Sequence, residues 1–231
     1  MRRTIPTGIS GSRSRRPQDA RRARPLRSGQ SEARVSDLTR LLLAIAASDQ
    51  RTAVALLDGS PSLVTSGVAR RDEFFLAQCL AQVYEGDTAL HAAAFSYDPG
   101  MATELLTRGA DIRARNRRGA EPLHAATMGV PASANWNPPQ QRAVILCLIG
   151  AGADPNATAA GGVTPLHRAV RNRCSAAVEA LLSAGADPHL ENDRGSTASE
   201  LARRTTGRSG TGSAEAKIEQ EVIIELLTRA I

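Results

Sequence analysis

Apolar residues in this chain recur in short helical blocks, not in alternating runs. Within 162–187, Leu166, Ala169 and Val170 fall on one face of a 3.6-residue helix. Val178, Leu181 and Leu182 fall on one face of a second. Thr164 stands where a helix cap is wanted, and Pro165 where the first turn has no use for an N–H. Gly185 closes the second block. The pattern predicts a helix from Thr164, a turn at 171–174, a second helix over 174–183, and an extended stretch from Asp187 and Pro188 to the next glycine.

The unit recurs. GDTALHAAA (86–94), GAEPLHAAT (119–127), GVTPLHRAV (162–170) and GSTASELAR (195–203) begin on glycines 33, 43 and 33 residues apart. LLTRGAD (105–111), LIGAGAD (148–154) and LLSAGAD (181–187) follow at intervals of 43 and 33. One such helix pair cannot bury its own apolar face, whereas four or five stacked pairs can. Thr39, Leu56 and Leu57 fall at the offsets of Thr88, Leu105 and Leu106, so 38–64 reads as a first, capping repeat. The surplus before the second repeat holds DEFFLAQCLAQVY (72–84), where Leu76, Leu80 and Val83 share a helical face, and an extra helix is expected there. Insertions at 130–142 and 205–220 fall between the two helices of their repeats and open in Pro, Gly and Ser, as loops do.

The G-x-T-P-L-H-x-A start and the L-L-x-x-G-A-D end, present together and in period, resemble the ankyrin repeat family, most closely over 85–193. The resemblance implies an all-α ankyrin-repeat solenoid of about five helix-pair repeats including caps, joined by β-hairpin-like fingers. The repeats would run 38–64, 85–117, 118–160, 161–193 and 194–231. It also implies a non-enzymatic protein-binding scaffold that meets its partner through finger tips and the concave face of the first helices. Carried over position by position, the finger tips include Arg117, Arg118, Asp193 and Arg194. The concave positions four and five past the motif histidine are Phe95 and Ser96, Met128 and Gly129, and Arg171 and Asn172. An exposed Phe95–Met128 pair beside Arg118 and Arg171 is the expected hot spot, since aromatic residues and arginine dominate such sites. Trp136 either pins its inserted loop to the helices or faces the partner.

Composition narrows the picture. The chain is 42% hydrophobic but only 3% aromatic, so its core must be aliphatic, which suits stacked helices better than a sheet sandwich. The net charge of +6 is uneven. Residues 1–34 hold ten arginines against Asp19 and Glu32, and the remaining 197 residues carry a net −2. Basicity therefore belongs to an N-terminal arm, expected to be disordered, followed by the repeat domain at 35–231. Nucleic acid or an anionic surface is expected as a partner only through that arm. No apolar run is long enough for a membrane span. Cys79, Cys147 and Cys174 are widely spaced, as in a chain with reduced thiols, and a cytoplasmic monomer is expected.

Candidate chemistry adds little. His91, His124 and His167 occupy one motif position in consecutive repeats. Neighbouring repeats stand about 10 Å apart, too far for one metal, whose ligand bonds are about 2.0–2.3 Å. They read as structural bridges, with no metal site. Cys147 reads as a buried structural thiol, and Cys174, near Arg171 and Arg173, as the more reactive one. No nucleophile elbow, phosphate loop or cofactor fingerprint is present, so neither catalysis nor a cofactor is expected. The segment 113–121 puts Arg113, Arg115, Arg117 and Arg118 on one finger. Arginine suits carboxylate or phosphate pairing, so a protein partner with an acidic surface is expected.

Overall fold

The computed structural model describes residues 35–131, 133–204 and 213–230. The expected arm at 1–34 and the glycine-rich start of the last insertion lie outside these residues. Among the described residues five helix pairs follow one another along the chain. They are α1 (Asp37–Ala46) with α2 (Gln50–Gly59), α3 (Ala89–Phe95) with α4 (Pro99–Thr107), and α5 (Pro122–Ala126) with α6 (Pro138–Gly150). The last two are α7 (Pro165–Asn172) with α8 (Ser175–Ser183) and α9 (Ala198–Arg203) with α10 (Ala214–Arg229). Helices α1, α3, α5, α7 and α9 touch in succession as an inner row, and α4, α6, α8 and α10 as an outer one.

The motif explains the stacking. Leu90, Leu123 and Leu166 are at most 1% exposed, and Ala93, Ala126 and Ala169, three positions on, are fully buried. Leucine fills the space between helix pairs, while alanine lets the short inner helices approach one another. Outer helices add Leu105, Ile145, Leu148 and Leu181. Thr164 caps α7 by accepting from the His167 N–H at 3.3 Å. In the first repeat the cap is Ser36, which accepts from the Thr39 N–H at 3.1 Å. Thr39, aligned with the cap of α3, lies instead in the first turn of α1.

The extra helix expected over 72–84 is a two-stranded hairpin. Strand β1 (Phe74–Leu76) pairs antiparallel with β2 (Ala81–Val83), Phe74 facing Val83 and Leu76 facing Ala81. Leu76, Ala81 and Val83 turn into the core, while Phe75 and Gln82 form the opposite pair, with Phe75 exposed. Helical spacing groups Leu76 with Leu80. In the structure Leu80 takes a left-handed φ of 50° at the turn and points outward. Two adjacent phenylalanines and a valine favour the pleated arrangement.

Fingers between helix pairs are tied edge to edge. Arg117 N–H donates to the Glu85 carbonyl at 2.7 Å, Ala160 N–H to Arg118 at 2.9 Å, and Asp193 N–H to Gly161 at 3.0 Å. Close approach demands glycine at Gly162: its φ is +65°, and an added Cβ would lie 2.8 Å from the Asp193 nitrogen.

Candidate protein-binding groove

Each motif histidine bridges two repeats. In His124 the Nδ1 accepts from the Glu121 N–H at 3.2 Å, which leaves the proton on Nε2 to donate to the Val163 carbonyl at 3.1 Å. His91 and His167 repeat the arrangement, from Thr88 and Thr164 on one side to the Ala120 and Ser196 carbonyls at 3.1 and 2.9 Å on the other. Burial, above all, holds all three imidazoles below their usual range. Arg168 adds to that effect on His124, which falls to about 3, while Asp87 opposes it at His91. All three are neutral framework groups at pH 7. Glu200 takes the position in the last repeat and accepts only from its own cap, the Thr197 N–H at 3.1 Å.

The fingers hold arginines in two states. Arg117 donates from Nε and Nη2, one edge of its guanidinium, to the two Glu73 carboxylate oxygens and lies over the Tyr84 ring, 4.8 Å from its centroid. That pairing, with a second bond from the Glu85 N–H at 2.9 Å, holds the Glu73 carboxyl below its usual range. Arg115 donates twice to Glu121, at 2.8 and 3.0 Å. Arg118 also lies over Tyr84, at 5.3 Å, but no described carboxylate pairs with it. Of the four arginines on this finger, two are therefore engaged internally.

Helix α7 of the inner row carries the remaining charge. Arg168 is half-buried in the first turn of α7 and reaches back to the His124 carbonyl at a long 3.4 Å. Burial first, then Arg171 and Arg118, pull its guanidinium down to about 10, against Asp87 and Tyr84. Arg171 stands three residues on, exposed, on the same side of the helix. Neither has an ion-pair partner among the described residues. Asp87, the acid nearest in effect, already accepts from Asn116 at 2.8 Å and from the Tyr84 N–H at 2.7 Å.

The other expected residues divide between frame and surface. Phe95 is only 8% exposed, so the expected exposed Phe95–Met128 pair is not formed. The hairpin insert comes down beside it, with Cys79 Sγ 3.3 Å from Ser96 Oγ. Met128 is half-buried and remains on the groove. Asn172 bridges repeats by donating to the Thr127 carbonyl at 3.1 Å. Trp136 is half-buried and donates to Gln141 Oε1 at 3.0 Å, the pinned arrangement of the two open at that position. Buried Gln141 in turn donates to the Ala126 and Met128 carbonyls at 3.0 and 3.1 Å. Asp193 and Arg194 are exposed at a finger tip. Cys147 is half-buried, not buried as expected, with Thr103 Oγ1 3.4 Å away. Cys174 is fully buried, and burial pushes its thiol up to about 12, the reverse of a reactive cysteine.

The family model for the ankyrin repeat matches residues 85–117, and that for multiple ankyrin repeats matches 148–202. These matches place ankyrin repeats at 85–117 and 148–202 of this chain. It is 36% identical over 115 residues to mouse "Ankyrin repeat and SOCS box protein 16", a match covering 50% of this chain and 25% of that protein. Ankyrin repeats generally mediate protein–protein interaction. No helix among the described residues is long and apolar enough to cross a membrane.

The ankyrin frame also exposes what position-matching passed over. The residue after the motif histidine is Ala92 in one repeat, Ala125 in the next and Arg168 in the third. The departure from the internal repeat was the available signal, because alanine at this position already satisfies the ankyrin stack. Four residues past the histidine the series runs Phe95, Met128 and Arg171, with Arg204 after Glu200, so the ankyrin groove passes from apolar to basic along the stack.

Proposed function

We propose that this chain is a non-enzymatic protein-binding module that holds an acidic segment of a cytoplasmic partner along the groove between the fingers and the inner helices. The observation that supports the reading is a set of three arginines, Arg118, Arg168 and Arg171, on the finger and the first helix of the fourth repeat, with no carboxylate partner among the described residues. Neutralising such charges is work left for a partner, and complementary charge sets both encounter rate and choice of partner. Met128 at the centre and the pinned Trp136 loop beside it add apolar contact. A photo-crosslinking residue at Met128 should capture the partner in lysate, and the double variant Arg118→Glu, Arg171→Glu should abolish that capture. Undiminished capture by the double variant would place the interface elsewhere.

A second reading rests on the ten arginines of residues 1–34. The arm would associate with nucleic acid or another anionic surface, while the repeats serve as scaffold. Such association falls steeply with added salt. Retention on DNA that survives deletion of 1–34 counts against it.

A further inference from the structure

We propose that the outer face of the 74–83 hairpin is a docking surface for a partner segment that carries a large apolar side chain and, about four extended residues away, an acidic one. The inference rests on the protein-binding reading above and names the partner's chemistry and where it is met. Two large apolar side chains stand in solvent on this one insert, Phe75 at 56% exposed and Leu80 at 43%. Strand register brings them together. Phe75 faces Gln82 across the pair, and Leu80 precedes Gln82 by two residues. Such diagonal neighbours lie about 7–8 Å apart, within reach of an aromatic side chain. Leu80 is held at a φ of 50°, a left-handed conformation that bulky residues rarely adopt and glycine takes freely. An apolar residue kept outward against both backbone strain and water fits a contact that a partner completes. The same hairpin closes over Phe95, so it withdraws one apolar residue from the groove and presents two others on its own outer face.

Tyr84 joins this face to the arginine finger. It follows Gln82 by two residues, so strand alternation carries the outer face on to it. Its ring lies under two guanidinium groups, with Arg117 at 4.8 Å and Arg118 at 5.3 Å from the centroid. Arg117 is already paired with Glu73, whereas no described carboxylate pairs with Arg118. Arg118 is therefore the charge this face offers to a partner. From Leu80 to Tyr84 is four residues, about 13 Å at strand rise. A segment that sets an apolar side chain against Phe75 and Leu80 needs its acid at about that distance to meet Arg118. Apolar contact alone selects poorly, and one exposed ion pair contributes little. Held at a fixed spacing, the two together distinguish one partner from another, and an aromatic residue with an arginine is a common core of such contacts.

The full-length protein, immobilised, is challenged with pools of short degenerate peptides. One pool carries leucine with glutamate four residues later. The others keep only the leucine, keep only the glutamate, or replace that glutamate by lysine. The first pool should be retained about tenfold better than each of the others, the scale of one buried apolar side chain or one charge-assisted hydrogen bond. Leu80→Gly should erase its advantage over the glutamate-only pool, with a melting temperature unchanged or higher because glycine relieves the left-handed strain. A purely structural leucine would give the reverse, a lower melting temperature with retention intact. Phe75→Ser, on the exposed strand face, should act in the same direction as Leu80→Gly without any change in backbone strain. Arg118→Gln should erase the advantage over the leucine-only pool. Equal retention of all pools overturns the inference, as does an advantage that survives both Leu80→Gly and Phe75→Ser. The Met128 cross-link reports separately: capture there without any pool preference leaves the protein-binding reading standing and this one overturned.

Discussion

The finger over 113–119 and the groove floor beneath it are both rich in arginine, and they hold it differently. On the finger, Arg115 and Arg117 are bonded to Glu121 and Glu73. Such arginines shape the surface and are partly neutralised by it. On the floor, Arg168 and Arg171 lack a described ion-pair partner, and Arg168 is held among like charges. Residue type and local density are similar in the two places, so density alone misidentifies the binding charge. What separates them is whether a carboxylate has been placed within reach. Evolution of a charge run into structure needs a partner acid in the same chain, and evolution into recognition needs that acid withheld.

The contrast between frame and recognition groups can be tested in order of effect. Replacing a frame group should cost most. His124→Ala leaves the Glu121 N–H and the Val163 carbonyl buried without partners, for a loss of about 2–4 kcal/mol in urea unfolding. Gln141→Ala should cost about 1–3 kcal/mol and release the loop, seen as a red shift in emission of the single tryptophan, Trp136. Acid should act through the same histidines. Their folded-state values lie below the unfolded one, so their contribution is complete above pH about 6.5 and is lost as pH falls toward about 3, the folded-state value of His124. The urea midpoint should decline across that window, and less steeply in His124→Gln. Glu73→Gln should leave the global midpoint nearly unchanged but speed amide exchange in the 74–83 hairpin, because an exposed pair contributes little to the whole fold. The smallest effect on stability belongs to Arg168→Met, whose melting temperature should equal or slightly exceed the parent's. A large loss there would make Arg168 a frame residue and erase the comparison.

How legible each of these was depended on whether the rule involved was local. The Leu166 and Ala169 positions, the Thr164 cap and the histidine bridges follow from a motif repeated in register, so one unit explains its neighbours. The hairpin escaped because Leu76, Leu80 and Val83 satisfy a helical face while Leu76 and Val83 also satisfy a paired one. Only packing against the core decides which set turns inward. Phe95 stood at a groove position by alignment, but that hairpin closes over the same end of α3. Arg117 looked available until Glu73, 44 residues earlier, arrived beside it. Arg168 was visible as a departure from its own repeat, yet its weight depends on the absence of a nearby acid, which is a three-dimensional fact.

The three backbone bonds that tie the fingers also set how the solenoid can flex. A hydrogen bond between backbone groups tolerates only about 2.7–3.2 Å, so the finger edge behaves as an inextensible hem. Bending must hinge along that hem, with the far side of the stack opening and closing like the ribs of a fan. A segment seated on α5 and α7 would lie close to the hem, where such motion displaces it least. A segment bound there, as proposed, would be the least disturbed by motion of the outer helices.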